Sequence, residues 1–191
     1  MVNVAALIRA ARKSKRLTQV ELADIARTDQ GNVSRSESGR DADYSTVDRL
    51  LAGAGHRLYS APTRRDDAAT IAAEIRTRVQ AKDPDRALRA LIQLNDNLAA
   101  EHGLVRGILG LAEPESTRDP LWDAAIAAVV AWRLREELLP VPSWVDADER
   151  FLRKPTFLTV DPADPEPPRA EIPDEFFERG VLAWRDTFAS V

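Results

Sequence analysis

The sequence predicts a mostly α-helical protein with a small N-terminal helical domain, a second helical domain and a proline-rich, irregular C-terminal tail. Three observations carry this prediction. Apolar residues recur at helical spacing along most of the chain, capping residues precede several of these stretches, and half of the twelve prolines follow residue 150. We expect the domains to span residues 1–60 and 71–150, with a linker at 61–70 and the tail at 151–191.

The first two helices are indicated by their caps. Asn3 can cap a helix that ends near Ser14 and carries apolar residues on one face. The run Thr18-Gln19-Val20-Glu21 has the spacing of a capping box. In this motif the threonine hydroxyl accepts a hydrogen bond from the third amide of the helix, and the glutamate side chain reaches back. The run therefore predicts that a second helix begins here.

Two more helices complete the N-terminal domain. Asp29 is the natural cap of a third helix over residues 30–38, and Ser45 is the expected cap of a fourth over residues 46–54. Residues 56–59 alternate between polar and apolar, which predicts a short strand or an extended exit from the domain.

The second domain reads as helical from about residue 68. The pattern runs over residues 68–111 with a break at Pro84, and the segment 113–120 reads as a loop. Pro120 suits the first turn of a helix that reaches about Leu139 and is apolar on nearly every side. This predicts a buried central helix. In the proline-rich tail we expect one short element around residues 176–188.

Composition excludes several classes of site. The chain of 191 residues is 44% hydrophobic, which is enough for a real core. It has no cysteine and two distant histidines, His56 and His102, so thiol chemistry is excluded and little remains for a transition metal. No apolar run approaches the ~18 residues of a membrane span, and charges begin at Arg9, where a secretory signal is apolar. We expect a cytoplasmic, nucleoid-associated protein that has no cofactor or metal and is not an enzyme.

Charge is distributed unevenly along the chain. The net charge is −4, but residues 1–60 hold ten Lys and Arg against seven Asp and Glu, whereas residues 61–191 hold seventeen against twenty-four. A basic N-terminal part joined to an acidic remainder is typical of a DNA reader whose second part faces a different partner.

The segment from Leu17 to Gly39, LTQVELADIARTDQGNVSRSESG, resembles the Xre or lambda-repressor-like family of helix-turn-helix domains. The resemblance covers residues 3–58. It implies a helix-turn-helix bundle that binds operator DNA, usually as a homodimer with half-sites about 34 Å apart. The matching positions are Leu17, Thr18, Gln19, Glu21, Leu22, Ala23, Ile25, Gln30, Val33, Ser34, Arg35, Glu37 and Gly39.

The resemblance also implies which residues contact double-stranded DNA. On the third helix, Gln30 and Asn32 are suited to adenine edges and Arg35 to a guanine or a phosphate. Gln19 is similar to the family residue that holds a phosphate. From the residues alone, an exposed Gln or Asn is usually just solvated, and Arg35 has the alternative of pairing with an acid such as Glu37. The predicted DNA-binding set is Lys15, Arg16, Thr18, Gln19, Gln30, Asn32, Ser34, Arg35 and Arg40.

Three positions depart from the family pattern, and basic residues flank them in the sequence. Arg27 stands where a glycine is common, Gly31 lies inside the third helix, and Ser36 replaces a large aliphatic residue. Together they predict a third helix of marginal stability.

We also expect the basic residues Arg12, Lys13, Lys15, Arg16 and Arg40 to add sequence-independent affinity for DNA.

The C-terminal part carries no catalytic motif. Its segments RALRALIQLNDNLAAE, DPLWDAAIAAVVAWRLREELLPVPSWV and IPDEFFERGVL resemble a C-terminal domain attached to Xre-type domains in high-GC bacterial regulators. This resemblance implies a repressor that is the antitoxin of a nucleotidyltransferase-like toxin. Two alternatives stay open: a repressor whose helical domain binds a small effector, and an enzyme or scaffold that only docks through its N-terminal domain. The tail is expected to pack on its own domain or on the partner.

Overall fold

The computed structural model describes residues 4–58 and 60–189, which form nine α-helices and one short two-stranded sheet. The predicted mostly α-helical fold is confirmed. Within the described residues, none of these helices has the length and apolar character needed to cross a membrane. Two separate groups of buried apolar residues divide the fold into an N-terminal part, called the head (residues 4–58), and a C-terminal part, called the body (residues 60–189).

Four helices form the head. They are α1 (Val4–Ser14), α2 (Gln19–Ile25), α3 (Gln30–Glu37) and α4 (Tyr44–Gly53). One residue from each of them is fully buried at the centre, namely Ile8, Leu22, Val33 and Leu50. Because each helix contributes to this core, the position of α3 is fixed by the other three.

The capping residues fix where the helices of the head begin. Thr18 forms the predicted capping box with Glu21, and the Asp29 side chain caps α3 as expected. The expectation that Ser45 caps the fourth helix is wrong. The helix begins earlier, at Tyr44, because the Asp43 carboxylate accepts the amide of Thr46 at 2.9 Å.

Two other expectations for the head concern its ends. The predicted cap Asn3 lies outside the described residues. Residues 56–58 form neither helix nor strand, and Tyr59 is also outside the described part of the chain. The structure therefore shows no strand over residues 56–58, the described part of the predicted exit.

The body is built around α8. Its helices are α5 (Ala68–Gln80), α6 (Pro84–Ala100), α7 (Gly103–Leu111), α8 (Pro120–Glu136) and α9 (Asp174–Glu178). Every residue of α8 from Ala124 to Ala131 is fully buried, which confirms the predicted central helix. The helix ends three residues before Leu139, because Leu138 adopts a left-handed backbone conformation with φ 55°. The last residues of the predicted linker belong to α5.

The proline-rich tail contains only short elements, and it has several of them rather than the one expected around residues 176–188. Strand β1 (Thr156–Phe157) pairs in parallel with β2 (Val181–Leu182). The side chains of Phe176 and Phe188 are buried beside Trp132, with ring centroids 6.2 and 6.4 Å from the tryptophan ring. The tail thus closes the core of the body. Two single 3-10 turns precede the tail, at Ser143–Asp146 and Asp148–Arg150, and two lie within it, at Arg169–Glu171 and Arg185–Phe188.

Buried arginines connect the parts of the body through backbone carbonyl groups. Arg133 and Asn95 both donate to the carbonyl oxygen of Phe188, at 3.2 and 3.0 Å. Arg179 is fully buried and donates to the carbonyl oxygen of Val145 at 3.2 Å. A buried guanidinium that satisfies several carbonyl groups holds the segments that carry them in one arrangement.

One carboxylate joins the head to the body. Glu115, in the loop before α8, is paired with Arg9 of α1, with Lys13 at 3.7 Å and with Arg76 of α5 at 3.3 Å. Arg9 also donates to the backbone carbonyl group of Glu37, the last residue of α3. Arg9 therefore links the end of the helix that carries the predicted base-reading residues to the body.

Candidate nucleic-acid interface

The interface predicted from sequence lies on α3 and on the turn that precedes it. Residues 26–29 connect α2 to α3, and the amide of Thr28 donates to the carbonyl oxygen of Ala23 at 2.9 Å. Arg27 adopts φ 51°, the left-handed conformation expected from its position in the turn. The turn therefore accepts a side chain where a glycine would be less strained.

A chain of hydrogen bonds runs along the outer edge of the helix pair. The side-chain amide of Gln30 donates to Gln19 at 2.8 Å, and that of Gln19 donates to Glu37 at 2.9 Å. The guanidinium of Arg12 holds the other side of Glu37 with two bonds of 2.6 and 2.8 Å. Two of the predicted DNA-binding residues, Gln19 and Gln30, are thus brought together. The ion pair between Arg12 and the buried Glu37 holds Gln19, and Gln19 in turn orients Gln30.

Electrostatics keep this ion pair charged. The carboxylate of Glu37 is buried, and burial alone would raise its pKa. The hydrogen bonds from Arg12 and Gln19 and the charges of Arg12 and Arg9 outweigh burial, so the pKa of Glu37 lies below its ordinary value. Glu37 therefore remains an acceptor for Gln19 at neutral pH.

Asn32 is less available than Gln30. Its side-chain amide donates to the Thr28 hydroxyl at 3.0 Å, and its backbone amide donates to Asp29 at 2.8 Å. The residue is half-buried. A contact between Asn32 and a base edge therefore requires that the bond to Thr28 be exchanged.

Arg35 lies on the exposed side of α3, and its guanidinium is 3.6 Å from the carboxylate of Asp29. Glu37, the acid named from the sequence, is not its partner, because Arg12 holds Glu37 instead. Gly31 makes this arrangement possible: a Cβ there would stand 2.9 Å from the Arg35 guanidinium and 3.0 Å from the Asp29 carboxylate. The glycine inside the helix thus has a local packing role.

The basic residues around α3 divide into two groups. Lys15, Arg16 and Arg40 are exposed and remain candidates for phosphate contact. Arg12, which was also expected to contribute affinity, differs from these residues, because its side chain is 12% exposed and its guanidinium is engaged with Glu37. Lys13 is half-exposed and lies toward Glu115 of the body.

Two predicted site residues have local structural roles. The Thr18 hydroxyl caps α2, and the half-buried Ser34 provides a carbonyl oxygen for the Ser38 hydroxyl at 2.7 Å. The small Ser36 is buried beside a surface concavity of about 210 Å³ that Asn32 and Arg40 also line.

Sequence reasoning missed the role of Glu37. It named this residue only as a matching position and as a partner for Arg35. The available signal was the combination of an acid at the end of α3 with an arginine on α1 and a glutamine at the start of α2. Recognising the cluster requires knowing that the three helices meet there.

Comparisons of the chain with protein-family models, with curated proteins and with solved structures each gave no match. Within residues 4–58 and 60–189, no group of three or more His, Asp and Glu side chains is arranged to hold a metal ion.

Proposed function

We propose that the protein is a sequence-specific DNA-binding transcriptional regulator that reads bases with α3. The observation that carries this proposal is the exposed Gln30 at the start of α3, whose side-chain amide is held by Gln19 and, through it, by Glu37. A base-reading amide that is oriented before binding loses less conformational entropy when it pairs with an adenine edge.

The surroundings of α3 support the same role. Exposed cations flank the two helices in sequence, at Lys15 and Arg16 before α2 and at Arg40 after α3. Arg35 pairs with the exposed carboxylate of Asp29, and salt weakens such a pair. A phosphate or a guanine can therefore take the place of Asp29 as the partner of Arg35. These charges suit a surface that meets the DNA backbone on either side of a base-reading helix.

The experiment that tests the proposal compares Gln30→Ala with wild type by fluorescence anisotropy, using DNA from the promoter of the protein's own gene and random DNA. Loss of one bidentate contact is expected to weaken promoter binding about tenfold to hundredfold and to leave binding to random DNA unchanged. Gln80→Ala, at the exposed end of α5, is the matched control and is expected to bind like wild type. Equal affinity of wild-type protein for promoter and random DNA would contradict sequence reading.

The regulatory setting of this activity rests on the C-terminal resemblance. We propose that the protein represses its own operon as an antitoxin, with a nucleotidyltransferase-like toxin as its partner. Phe176 and Phe188 of the tail are buried in the body, so these two side chains are not free to dock on a partner. Stoichiometric co-purification with the product of the adjacent gene is the expected result, whereas release from DNA by a small molecule alone would favour the effector-responsive alternative.

A further inference from the structure

Helix α7 carries an apolar face that nothing in the described chain covers. Leu104 and Leu111 are 79% and 63% exposed, and Ile108 lies half-buried between them. Gly107 is on the same face, and a Cβ built there would meet no atom within 4 Å. Single exposed leucines are ordinary, but a continuous apolar stripe along one helix face is typical of an interaction surface.

The face is also free of charge. The one charged residue of α7, Arg106, is buried and points into the body, where it donates to the carbonyl oxygens of Glu101 at 2.7 Å and Arg133 at 2.9 Å. A strongly charged partner would find no group to pair with on this stripe. When a second copy of the same stripe packs against it, no charged side chain of one α7 meets a charged side chain of the other.

The spacing of the stripe is symmetric about its centre. Counted from either end, Leu104–Gly107–Ile108–Leu111 has intervals of three, one and three residues. In an antiparallel pair of such helices, Leu104 of each copy lies opposite Leu111 of the other, and Gly107 of each copy lies opposite Ile108 of the other near the crossing point. A two-fold interface requires this kind of self-complementary surface. A glycine at the crossing lets the two helix backbones approach closely.

A leucine beside the start of α7 enlarges the face. Leu138 is 94% exposed and adopts φ 55°, a conformation that favours glycine or asparagine. It directly follows Glu137, whose carboxylate accepts the amide of Gly103 at 2.8 Å and so fixes the turn against the first residue of α7. A glycine at position 138 would adopt this backbone conformation with less strain. Because the leucine side chain is also exposed, packing within the monomer does not account for it.

We propose that α7 pairs antiparallel with α7 of a second copy across a two-fold axis, and that Leu138 extends this interface. A paired stripe is smaller than the roughly 800 Å² per partner of a standard interface unless neighbouring residues join it. We therefore expect a dissociation constant in the micromolar range. The inference concerns self-association alone and holds whether or not the protein binds DNA.

The first test is sedimentation equilibrium of the full chain without DNA, from about 1 µM to about 1 mM. Wild type is expected to convert from monomer to dimer in this range. Leu104→Glu/Leu111→Glu is expected to remain monomeric, whereas Val20→Glu, on the 55% exposed side chain of α2, is the matched control and dimerises like wild type. A wild-type monomer throughout, or a dimer in the double glutamate variant, overturns the proposal.

A charge-swap variant tests the antiparallel direction. In Leu104→Lys/Leu111→Glu, each introduced lysine faces the introduced glutamate of the other copy if the helices are antiparallel. This variant is expected to dimerise at least about tenfold more tightly than Leu104→Glu/Leu111→Glu. Parallel pairing would place like charges together, so a monomeric charge-swap variant contradicts the proposed arrangement.

Leu138→Gly separates association from folding. The glycine relieves the left-handed backbone, so the thermal midpoint at low protein concentration is expected to equal or exceed that of wild type. The dimer is expected to weaken about threefold to tenfold, because an exposed apolar side chain is lost from its edge. Unchanged dimerisation in this variant would remove Leu138 from the interface and contradict that part of the proposal.

Discussion

Glu37 links the stability of the head to the presentation of Gln30. The same carboxylate receives two hydrogen bonds from Arg12 and one from Gln19, and Gln19 in turn holds Gln30. The side chain is buried and does not face solvent, so it does not contact DNA itself. A change at Glu37 is nevertheless expected to alter base reading, because the amide of Gln30 would lose its support.

We predict that Glu37→Gln lowers the free energy of unfolding by about 1.5–3 kcal/mol at neutral pH, because charge-assisted hydrogen bonds to Arg12 are lost. The folded pKa of Glu37 lies below its ordinary value of 4.5, so its contribution is fully present above that pH and disappears as pH falls through the lowered pKa. Urea unfolding at neutral pH and near pH 3, followed by circular dichroism, should show the difference from wild type shrinking in acid.

The control for this variant is Glu74→Gln, which removes an exposed pair with Arg78 on α5. Its effect is expected to stay below about 0.5 kcal/mol. Equal losses in the two variants would contradict a special role for the buried pair.

We predict that Gly31→Ala raises the stability of the head by up to about 1 kcal/mol, because alanine favours the helix. The new Cβ would stand 2.9 Å from the end of the flexible Arg35 side chain, which can swing outward, and 3.0 Å from the capping carboxylate of Asp29, whose shift by a few tenths of an ångström offsets part of the gain. Thermal unfolding measures the gain, and a marked loss of stability would mean that the contact between Arg35 and Asp29 supports the fold.

At the scale of single helices, local signals predicted the structure where the deciding groups are near in sequence. Thr18 and Asp29 cap their helices through amides three residues on, so the sequence contains both partners. Asp43 and Ser45 are both good capping residues two positions apart, and the pattern alone did not decide between them. The Asp43 carboxylate, which is the stronger acceptor, caps the helix, and it also accepts a hydrogen bond from the Ser45 hydroxyl at 2.5 Å.

Local sequence signals did not predict hydrogen bonds whose two partners are distant in sequence. The burial of Arg133 depends on the carbonyl oxygen of Phe188, and that of Arg106 on carbonyl groups of two other helices or their ends. The same holds at the candidate site, where Gln30 was predicted from its motif but the engagement of Arg12 by Glu37 was not. Periodicity reports which side of a helix is apolar and does not report which helix it meets.

The length and composition of α3 give a prediction for its dynamics. The helix has eight residues, includes a glycine and two serines, and follows a turn with a left-handed Arg27. We predict that its amides exchange with solvent faster than those of α4 in the free protein and slow on addition of operator DNA. Hydrogen-exchange mass spectrometry over residues 28–38 checks this, and strong protection in the free protein would reject a marginal helix.

At the scale of the whole molecule, all four tryptophans lie in the body, and the head has none. Fluorescence therefore reports on the body, whereas helical circular dichroism reports on both parts. We predict that Phe188→Ala destabilises the body by about 3–5 kcal/mol, because the ring is 1% exposed and packs against Trp132 and Phe176.

The expected signature of Phe188→Ala is a fluorescence transition at lower denaturant concentration, with the circular dichroism of the head persisting beyond it. Phe177→Ala, at a ring that is 44% exposed, is the control and should leave the fluorescence midpoint nearly unchanged. A single coincident transition in the Phe188 variant would mean that head and body unfold as one unit.

The carbonyl group of Phe188 has a consequence for how the chain is made. The head has all of its core once residue 58 has been synthesised, but Arg133 and Asn95 lack their acceptor until the ribosome reaches Phe188. At about 5–20 residues per second this interval lasts on the order of ten seconds. During translation, therefore, every core residue of the head is present well before the residue that closes the centre of the body.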